Sequence, residues 1–258
     1  AQTPRQPPAI FGVPLGGTQE QVIAMAQARG VRPQASPAYC LPDEYCRHRA
    51  NIEALPGTEL LSNLRGGRRL ADRTEHFAFA FTAPPNDHRI WSAGSDQTFG
   101  SSVRPGPCAP LVSDVLAELR RRFGEPVMLF DGGGGKLPQG QLPGVIWWLW
   151  DSGARAVPFN RDCAIALEWA KVGPGGSAAQ SRNDAATDPR TFVSARKGNC
   201  ALAIKATIGQ ERGLVNSLSV RMVDFQAGHD ALFRTTRFVQ ERRAAAEQAR
   251  SQQNKPDF

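Results

Sequence analysis

The stretch from residue 110 to residue 151 constrains the fold most, because it contains an amphipathic helix followed by an aromatic strand. The helix stops at Gly124 and Pro126, and apolar residues follow one of its faces at helical spacing: Val112, Val115, Leu116, Leu119 and Phe123. The strand covers residues 145–151, where β-branched and aromatic residues lie between Pro-Gly and Ser-Gly pairs. A helix that leads into such a strand predicts an α+β scaffold.

Elements of the same kinds are predicted on both sides of this stretch. Thr18 and Gln21 form a capping box that opens a first helix, and Gly30 ends that helix. The segment 66–69 is predicted to be a turn, and 229–252 a C-terminal helix. Strands are predicted for five apolar segments: 76–81, 89–99, 163–169, and the hairpin formed by 200–208 and 214–225.

The order of these elements repeats along the chain. A disordered leader is predicted for residues 1–9, a first half for 10–105, a second half for 106–228, and a C-terminal helix with a polar tail for 229–258. Each half consists of a helix followed by antiparallel strands. The sequence therefore predicts two similar α+β halves, which is the pattern of a tandem duplication.

The net charge of +7 favours an anionic partner such as an acidic protein surface, but the basic residues are scattered, which is more typical of an ordinary basic, solvated surface. Nucleic acid is disfavoured, because arginine and aromatic residues do not interleave as a base-stacking platform requires. No run approaches the roughly 18 apolar residues of a membrane span, so the chain is not expected to be integral to a membrane. Peripheral contact through the basic C-terminal helix stays open, unless that helix packs Leu232, Phe233 and Val239 into the core.

The chain opens on Ala1-Gln2-Thr3, a start typical of the mature end left after removal of a signal peptide. Five cysteines agree with an oxidising compartment, and their odd number leaves one unpaired in the chain. We therefore expect the protein to be periplasmic or secreted.

Cys40 and Cys46 are separated by a short Pro-containing loop, with His48 close behind. A local disulfide is favoured over a zinc site, because the spacing matches no zinc finger and no second Cys/His pair follows. No metal or cofactor is therefore expected.

Cys163 and Cys200 are a second candidate pair, and Cys108 is then the free thiol. If both apolar segments were neighbouring antiparallel strands in full register, the two cysteines would lie roughly 20 Å apart. A disulfide needs Cα atoms within about 7 Å, so this bridge requires a shifted register or a non-adjacent pairing.

The aromatic strand is the candidate partner-binding element. Trp148 and Trp150 point to one side and Trp147 and Leu149 to the other, so both sides are apolar. Burial on both sides is one interpretation. The alternative is that Trp148 and Trp150 lie on an open face of the sheet and anchor a protein partner, as tryptophans do at interface hot spots.

No catalytic residue is assigned. The segment 131–136, Asp followed by four glycines and lysine, lacks the spacing of a phosphate loop and is interpreted as a hairpin tip. Four histidines stand outside any recognised catalytic motif: His48, His76, His88 and His229. A hydrolase with a histidine-based site would be favoured if a pocket gathered two or more of His48, His76, His88 and Asp151.

The segment 12–18, Gly-Val-Pro-Leu-Gly-Gly-Thr before a helix, resembles the opening of bacterial envelope modules of the SmpA/OmlA and β-lactamase-inhibitor-protein type. The resemblance extends over the order of elements in most of the chain. It implies a non-catalytic protein-binding scaffold, periplasmic or secreted, whose sheet presents a surface to a protein partner; the positive net charge favours an acidic one. It carries over no functional residue, and it leaves the oligomeric state open.

Overall fold

An antiparallel sheet of eight strands runs through the centre of the molecule. The computed structural model describes residues 7–36, 38–39, 53–54, 63–82, 85–100, 104–131, 133, 135, 137–138, 141–170 and 190–253. In spatial order the strands are β3 (Gln34–Ser36), β6 (Asn63–Arg69), β7 (Thr74–Phe81), β8 (Ile90–Thr98), β12 (Leu214–Asp224), β11 (Leu202–Glu211), β10 (Val145–Trp150) and β9 (Met128–Phe130). Two small pairs accompany the sheet: β1 (Ala9–Ile10) with β2 (Val13–Pro14), and β4 (Ala38–Tyr39) with β5 (Glu53–Ala54).

Helices cover both faces of the sheet. The helices are α1 (Gln19–Ala28), α2 (Val112–Phe123), α3 (Arg161–Trp169), α4 (Arg190–Lys197) and α5 (Phe225–Gln253). The β1–β2 pair, α1 and α2 pack on what we call the first face, over Phe77, Phe79 and Met222. Helices α3, α4 and α5 pack on the second face, over Trp147 and Val223. The mixed α+β class predicted from the sequence is confirmed.

Local sequence signals account for several of these elements. Thr18 and Gln21 form the predicted capping box of α1, in which Thr18 N donates to Gln21 Oε1 at 2.9 Å. The predicted apolar stripe of α2 is also confirmed, since Val112 and Phe123 are buried and Gly124 ends the helix with a φ of +81°. The strands β7 and β8 and the β11–β12 hairpin form where they were predicted.

The segment 163–169 is a helix, so the strand predicted there is wrong. The Asn160 side chain accepts a hydrogen bond from Cys163 N at 2.9 Å and caps the start of α3. The buried residues then recur at the spacing of a helix face: Cys163, Ala166, Leu167 and Ala170. This short apolar run fits both periods, and the cap that decides between them lies outside it.

The turn predicted at 66–69 is also wrong, because these residues belong to β6. The chain reverses afterwards, where Leu70 N donates to Arg73 O at 2.8 Å. Gly66 is needed for packing rather than for turning. A Cβ at this position would come within 2.7 Å of both Phe77 Cζ and Val31 Cγ1.

Two of the predicted boundaries differ from those in the structure. The leader 1–9 reaches into β1, which begins at Ala9, and residues 1–6 lie outside the described part. Across the predicted boundary between the two halves, β8 and β12 pair in the middle of the sheet. The C-terminal helix begins at Phe225, before the predicted position 229. The duplication itself stays a prediction.

The cysteines are distributed as predicted where the structure describes them. Cys163 and Cys200 form a disulfide with a Cα–Cα separation of 6.0 Å. The register problem disappears, because Cys163 lies in α3 and Cys200 precedes β11. Cys108 is a free, exposed thiol. The predicted Cys40–Cys46 pair lies outside the described residues.

Candidate functional site

The tryptophans predicted to anchor a partner are not on an open face. Trp148 is 1% exposed and Trp150 is 3% exposed, and both belong to the core of the first face. Trp148 Nε1 donates to Gly124 O at 2.9 Å, and the Phe123 ring packs edge-on against the Trp148 ring. The predicted exposure of this pair is therefore wrong. Burial on both sides of the strand is the correct interpretation, since Trp147 and Leu149 are buried on the second face.

Among the described residues, the helices of the second face cover only one end of its strands. Cross-strand neighbours at the covered end are buried, among them Ala80, Ser92, Val223, Ala203 and Leu149. Further along the same strands, exposed and partly exposed polar residues replace them. We call these residues the polar sheet surface: Arg65, Arg69, His76, Asp96, Lys205, Thr207, Ser219 and Arg221.

The register of the sheet brings this surface together. One cross-strand row runs from Arg65 through Ala78 and Gly94 to Arg221 and Lys205. Directly opposed residues of an antiparallel pair point to the same face. Arg65 and Arg221 are three strands apart, so their Cα atoms are separated by about 14 Å. Ala78 and Gly94 lie between them and form a floor of small residues, and both are buried.

The adjacent row contains His76, Asp96, Ser219 and Thr207. His76 is exposed at the β6–β7 side of this row, opposite Gly67. None of the four side chains is buried, so this row extends the polar sheet surface away from the helices. The sequence predicted a polar turn and isolated strand residues here, and it could not show that five strands contribute to one surface.

Two cations of the polar sheet surface share a carboxylate from α3. Glu168 forms an ion pair with Lys205 Nζ, and its second oxygen lies 3.7 Å from Arg221 Nη1. Lys205 Nζ also lies 5.3 Å from the centroid of the Trp147 ring, which favours a cation there. Among the described residues of this region, four cations outnumber two carboxylates: Arg65, Arg69, Lys205 and Arg221 against Asp96 and Glu168.

The candidate histidine site is not assembled. His88 is buried, with Nδ1 3.0 Å from Thr82 O and Nε2 3.1 Å from Gln19 Oε1, and burial lowers its pKa. Asp151 accepts the N–H groups of its own turn and pairs with Arg155, and these bonds lower its pKa. His76 lies on the polar sheet surface instead. His48 lies outside the described residues.

His229 has partners of its own on α4 and α5. Its Nδ1 lies 3.1 Å from Asp230 Oδ1, and Arg196 Nη2 lies 3.2 Å from its Nε2. Within the described ranges, no three His, Cys, Asp or Glu side chains are grouped so that they could hold a metal ion. Between the antiparallel strands β9 and β10, where a hairpin tip was predicted, Asp131 Oδ1 accepts from Gly133 N and Gly135 N.

The C-terminal helix divides its apolar residues between core and solvent. Leu232 packs against the core of the second face, whereas Phe233 is 65% exposed. Among the helices of the described residues, none is both long and apolar enough to cross a membrane. Peripheral membrane contact through this helix stays a prediction.

Comparisons with protein-family models, with curated proteins and with solved structures found no match. The resemblance to the SmpA/OmlA and β-lactamase-inhibitor-protein modules therefore stays an expectation from the sequence.

Proposed function

We propose that this protein is a non-catalytic binding protein of the bacterial envelope or secretome that docks an acidic protein segment on its polar sheet surface. The observation that carries the proposal is the cross-strand row in which Arg65, Arg221 and Lys205 flank a floor of alanine and glycine. Export is supported by the Cys163–Cys200 disulfide, since such bonds persist mainly in oxidising compartments.

The ion pairs of Glu168 indicate what this surface accepts. Its carboxylate already lies between Lys205 and Arg221, so the spacing of these two cations suits a carboxylate. Glu168 is itself about half exposed and belongs to α3, not to the sheet. A carboxylate of a partner can therefore compete with Glu168 for the same two cations.

The size of the surface limits the partner. The surface spans five strands at a spacing of about 4.8 Å and three rows of residues, the third being that of Arg69, at a spacing of about 6.8 Å. Its area is therefore roughly 300 Å². A stable interface between folded proteins buries about 800 Å² on each side. The polar sheet surface alone therefore suits a short acidic segment of a partner, held largely by charge, and not a whole folded domain.

The test is binding of a fluorescent hexaglutamate peptide, followed by anisotropy at low salt, where the Debye length is long. We expect saturable binding that Lys205→Glu with Arg221→Glu weakens by about tenfold or more. The control is Arg212→Glu with Arg250→Glu, which changes net charge equally at the β11–β12 turn and at the end of α5. Glu168→Gln removes the competing carboxylate and should tighten binding a few-fold.

The surface proposal is wrong if the control pair weakens the peptide as much as the surface pair does, because general charge then explains the binding. It is equally wrong if hexaglutamate does not bind at all, or if Glu168→Gln loosens the complex. A hexalysine peptide should not bind.

The second candidate is a secreted hydrolase with a histidine-based site. One observation favours it: His229 and Ser152 line one cavity, and Asp230 contacts His229 Nδ1 as an orienting carboxylate would. However, the Arg196 guanidinium lies on Nε2, the nitrogen that a general base needs. Labelling by a serine-reactive fluorophosphonate that Ser152→Ala abolishes would favour this candidate, and absence of labelling would count against it.

A further inference from the structure

The cavity between α4 and α5 lies apart from the polar sheet surface. It has a volume of about 190 Å³ and opens where α4 ends and α5 begins. Polar groups reach it from three segments of the chain: Ser152 from the turn after β10, Arg196 and Asn199 from the end of α4, and Gln226 and His229 from the first turns of α5.

The charge of this lining selects the ligand. None of the residues that line the cavity is acidic, whereas Arg196 brings a permanent positive charge. Ser152 and Asn199 add a hydroxyl and an amide that can donate. We propose that this cavity binds a small oxyanion, a carboxylate or phosphate group, with Arg196 as its main cationic partner.

The contacts around His229 leave Arg196 able to bind. Asp230 Oδ1 accepts from Nδ1–H, and Nε2 accepts from Arg196, so both contacts suit a neutral imidazole. Gln226 Nε2 donates to Asp230 Oδ2 at 2.8 Å, so both oxygens of that carboxylate have donors. Arg196 therefore gives one of its five N–H groups to His229 and is held beside the cavity with the others remaining for an anion.

The dimensions and walls restrict the oxyanion to a small one. The volume is below the roughly 300 Å³ at which pockets for drug-sized ligands begin. Phe192 and Phe225 supply buried apolar walls, and Cys200 fixes the wall between them to α3 through its disulfide with Cys163. A fixed wall lowers the ordering cost of binding. The site thus suits a short monocarboxylate or inorganic phosphate, and both share the chemistry that Arg196 recognises.

The experiment is a titration of the ¹⁵N-labelled full chain with sodium acetate and, separately, with inorganic phosphate, at constant ionic strength. We expect saturable shifts of the amide signals of residues 196–201 and 225–229 with at least one anion, and the tighter anion identifies the source. Arg196→Gln should weaken binding by about tenfold or more, because it removes the charged donor. Ser152→Ala should weaken it by a smaller factor.

The matched control is Lys197→Gln, which removes a neighbouring exposed cation that pairs with Asp162 outside the cavity. It should change anion affinity less than twofold, and so should Lys205→Glu with Arg221→Glu on the sheet. Absence of saturable shifts with both anions overturns the proposal. So does equal weakening by Arg196→Gln and Lys197→Gln, while retained affinity in the sheet variant separates this site from the proposed peptide surface.

Discussion

Replacement of Glu75 by glutamine tests how the first face is held together at the β6–β7 side. Glu75 is 3% exposed and binds three arginines: Arg29 Nη2 at 2.5 Å, Arg68 Nε at 2.8 Å and Arg73 Nε at 2.8 Å. Arg29 ends α1, and Arg68 also donates to Arg29 O at 3.0 Å. One carboxylate therefore joins a helix end to two positions around the β6–β7 turn.

The magnitude follows from the protonation equilibrium. Burial alone would raise the pKa of Glu75, but hydrogen bonds from Arg73, Arg68 and Arg29 outweigh burial and lower this pKa from 4.5 to about 2. The difference between 4.5 and about 2 corresponds to about 3 kcal/mol of unfolding free energy. Each arginine is about a quarter to a third exposed, so solvent screening reduces the expected loss in Glu75→Gln to about 2 kcal/mol.

The assay is urea unfolding of wild type and Glu75→Gln between pH 7 and pH 2. Because the folded pKa lies below the unfolded one, the stabilisation by Glu75 is present above pH 4.5 and is lost as pH falls toward 2. The difference between the two proteins should therefore be full at pH 7 and close to zero near pH 2.

Glu118→Gln on α2 is the matched control, since Arg121 and Arg122 lower the pKa of Glu118 to about 2 as well. Glu118 is 40% exposed, so its ion pairs should contribute below about 1 kcal/mol. If the two variants lose equal stability at pH 7, or if the loss in Glu75→Gln does not depend on pH, the argument from burial is refuted.

Three further outcomes are expected. Alkylation without reductant should modify only Cys108, because Cys163 and Cys200 are bonded and the remaining two cysteines are predicted to pair; three modified cysteines would remove that second bridge. Acidification from pH 7 to pH 5 should destabilise the fold in urea unfolding, because burial lowers the pKa of His88 and the unfolded chain takes up the proton first. The variant His88→Asn should lose this pH dependence, since asparagine tolerates the φ of +52° at this position. Trp148→Phe should cost about 2 kcal/mol of unfolding free energy through a small void and the lost bond to Gly124 O, and an unchanged midpoint would contradict the assigned packing.

Local signals allowed much of the fold to be predicted. The capping box of α1 and the apolar stripe of α2 are complete within about a dozen residues, so no distant contact is needed to recognise them. The segment 163–169 contains no such decisive signal, because its alternating apolar residues fit both a strand and one face of a helix. Its cap at Asn160 lies before the run, and the layer that buries it comes from α4, which was not predicted.

The candidate surface was harder to predict than the fold. Arg65 and Arg221 are far apart in sequence, and each alone resembles an ordinary polar strand residue. Only the register of four strands places them in one row, and a slip of one residue would turn either side chain to the opposite face. The exposure predicted for Trp148 and Trp150 was wrong for a related reason. This strand has apolar residues on both sides, so the sequence could not decide whether one side stays exposed.

Among the described residues, the helices of the second face cover one end of the sheet because of where they are attached. One cross-strand row contains Trp150, Leu202 and Asp224. The chain leaves β10 toward α3, enters β11 from α4 and leaves β12 toward α5 at this row, so all three helices are attached at the same end of the sheet. Helices α3 and α4 have nine and eight residues and span about 13 Å, whereas β11 and β12 have ten and eleven residues and span about 35 Å. These two helices are therefore too short to cover the strands, and α5 presents exposed residues to solvent from Gln240 onward where its side chains are described. Glu168 in the last turn of α3 already reaches Lys205 and Arg221, so the end of this helix marks the border of the surface to which we assign partner binding.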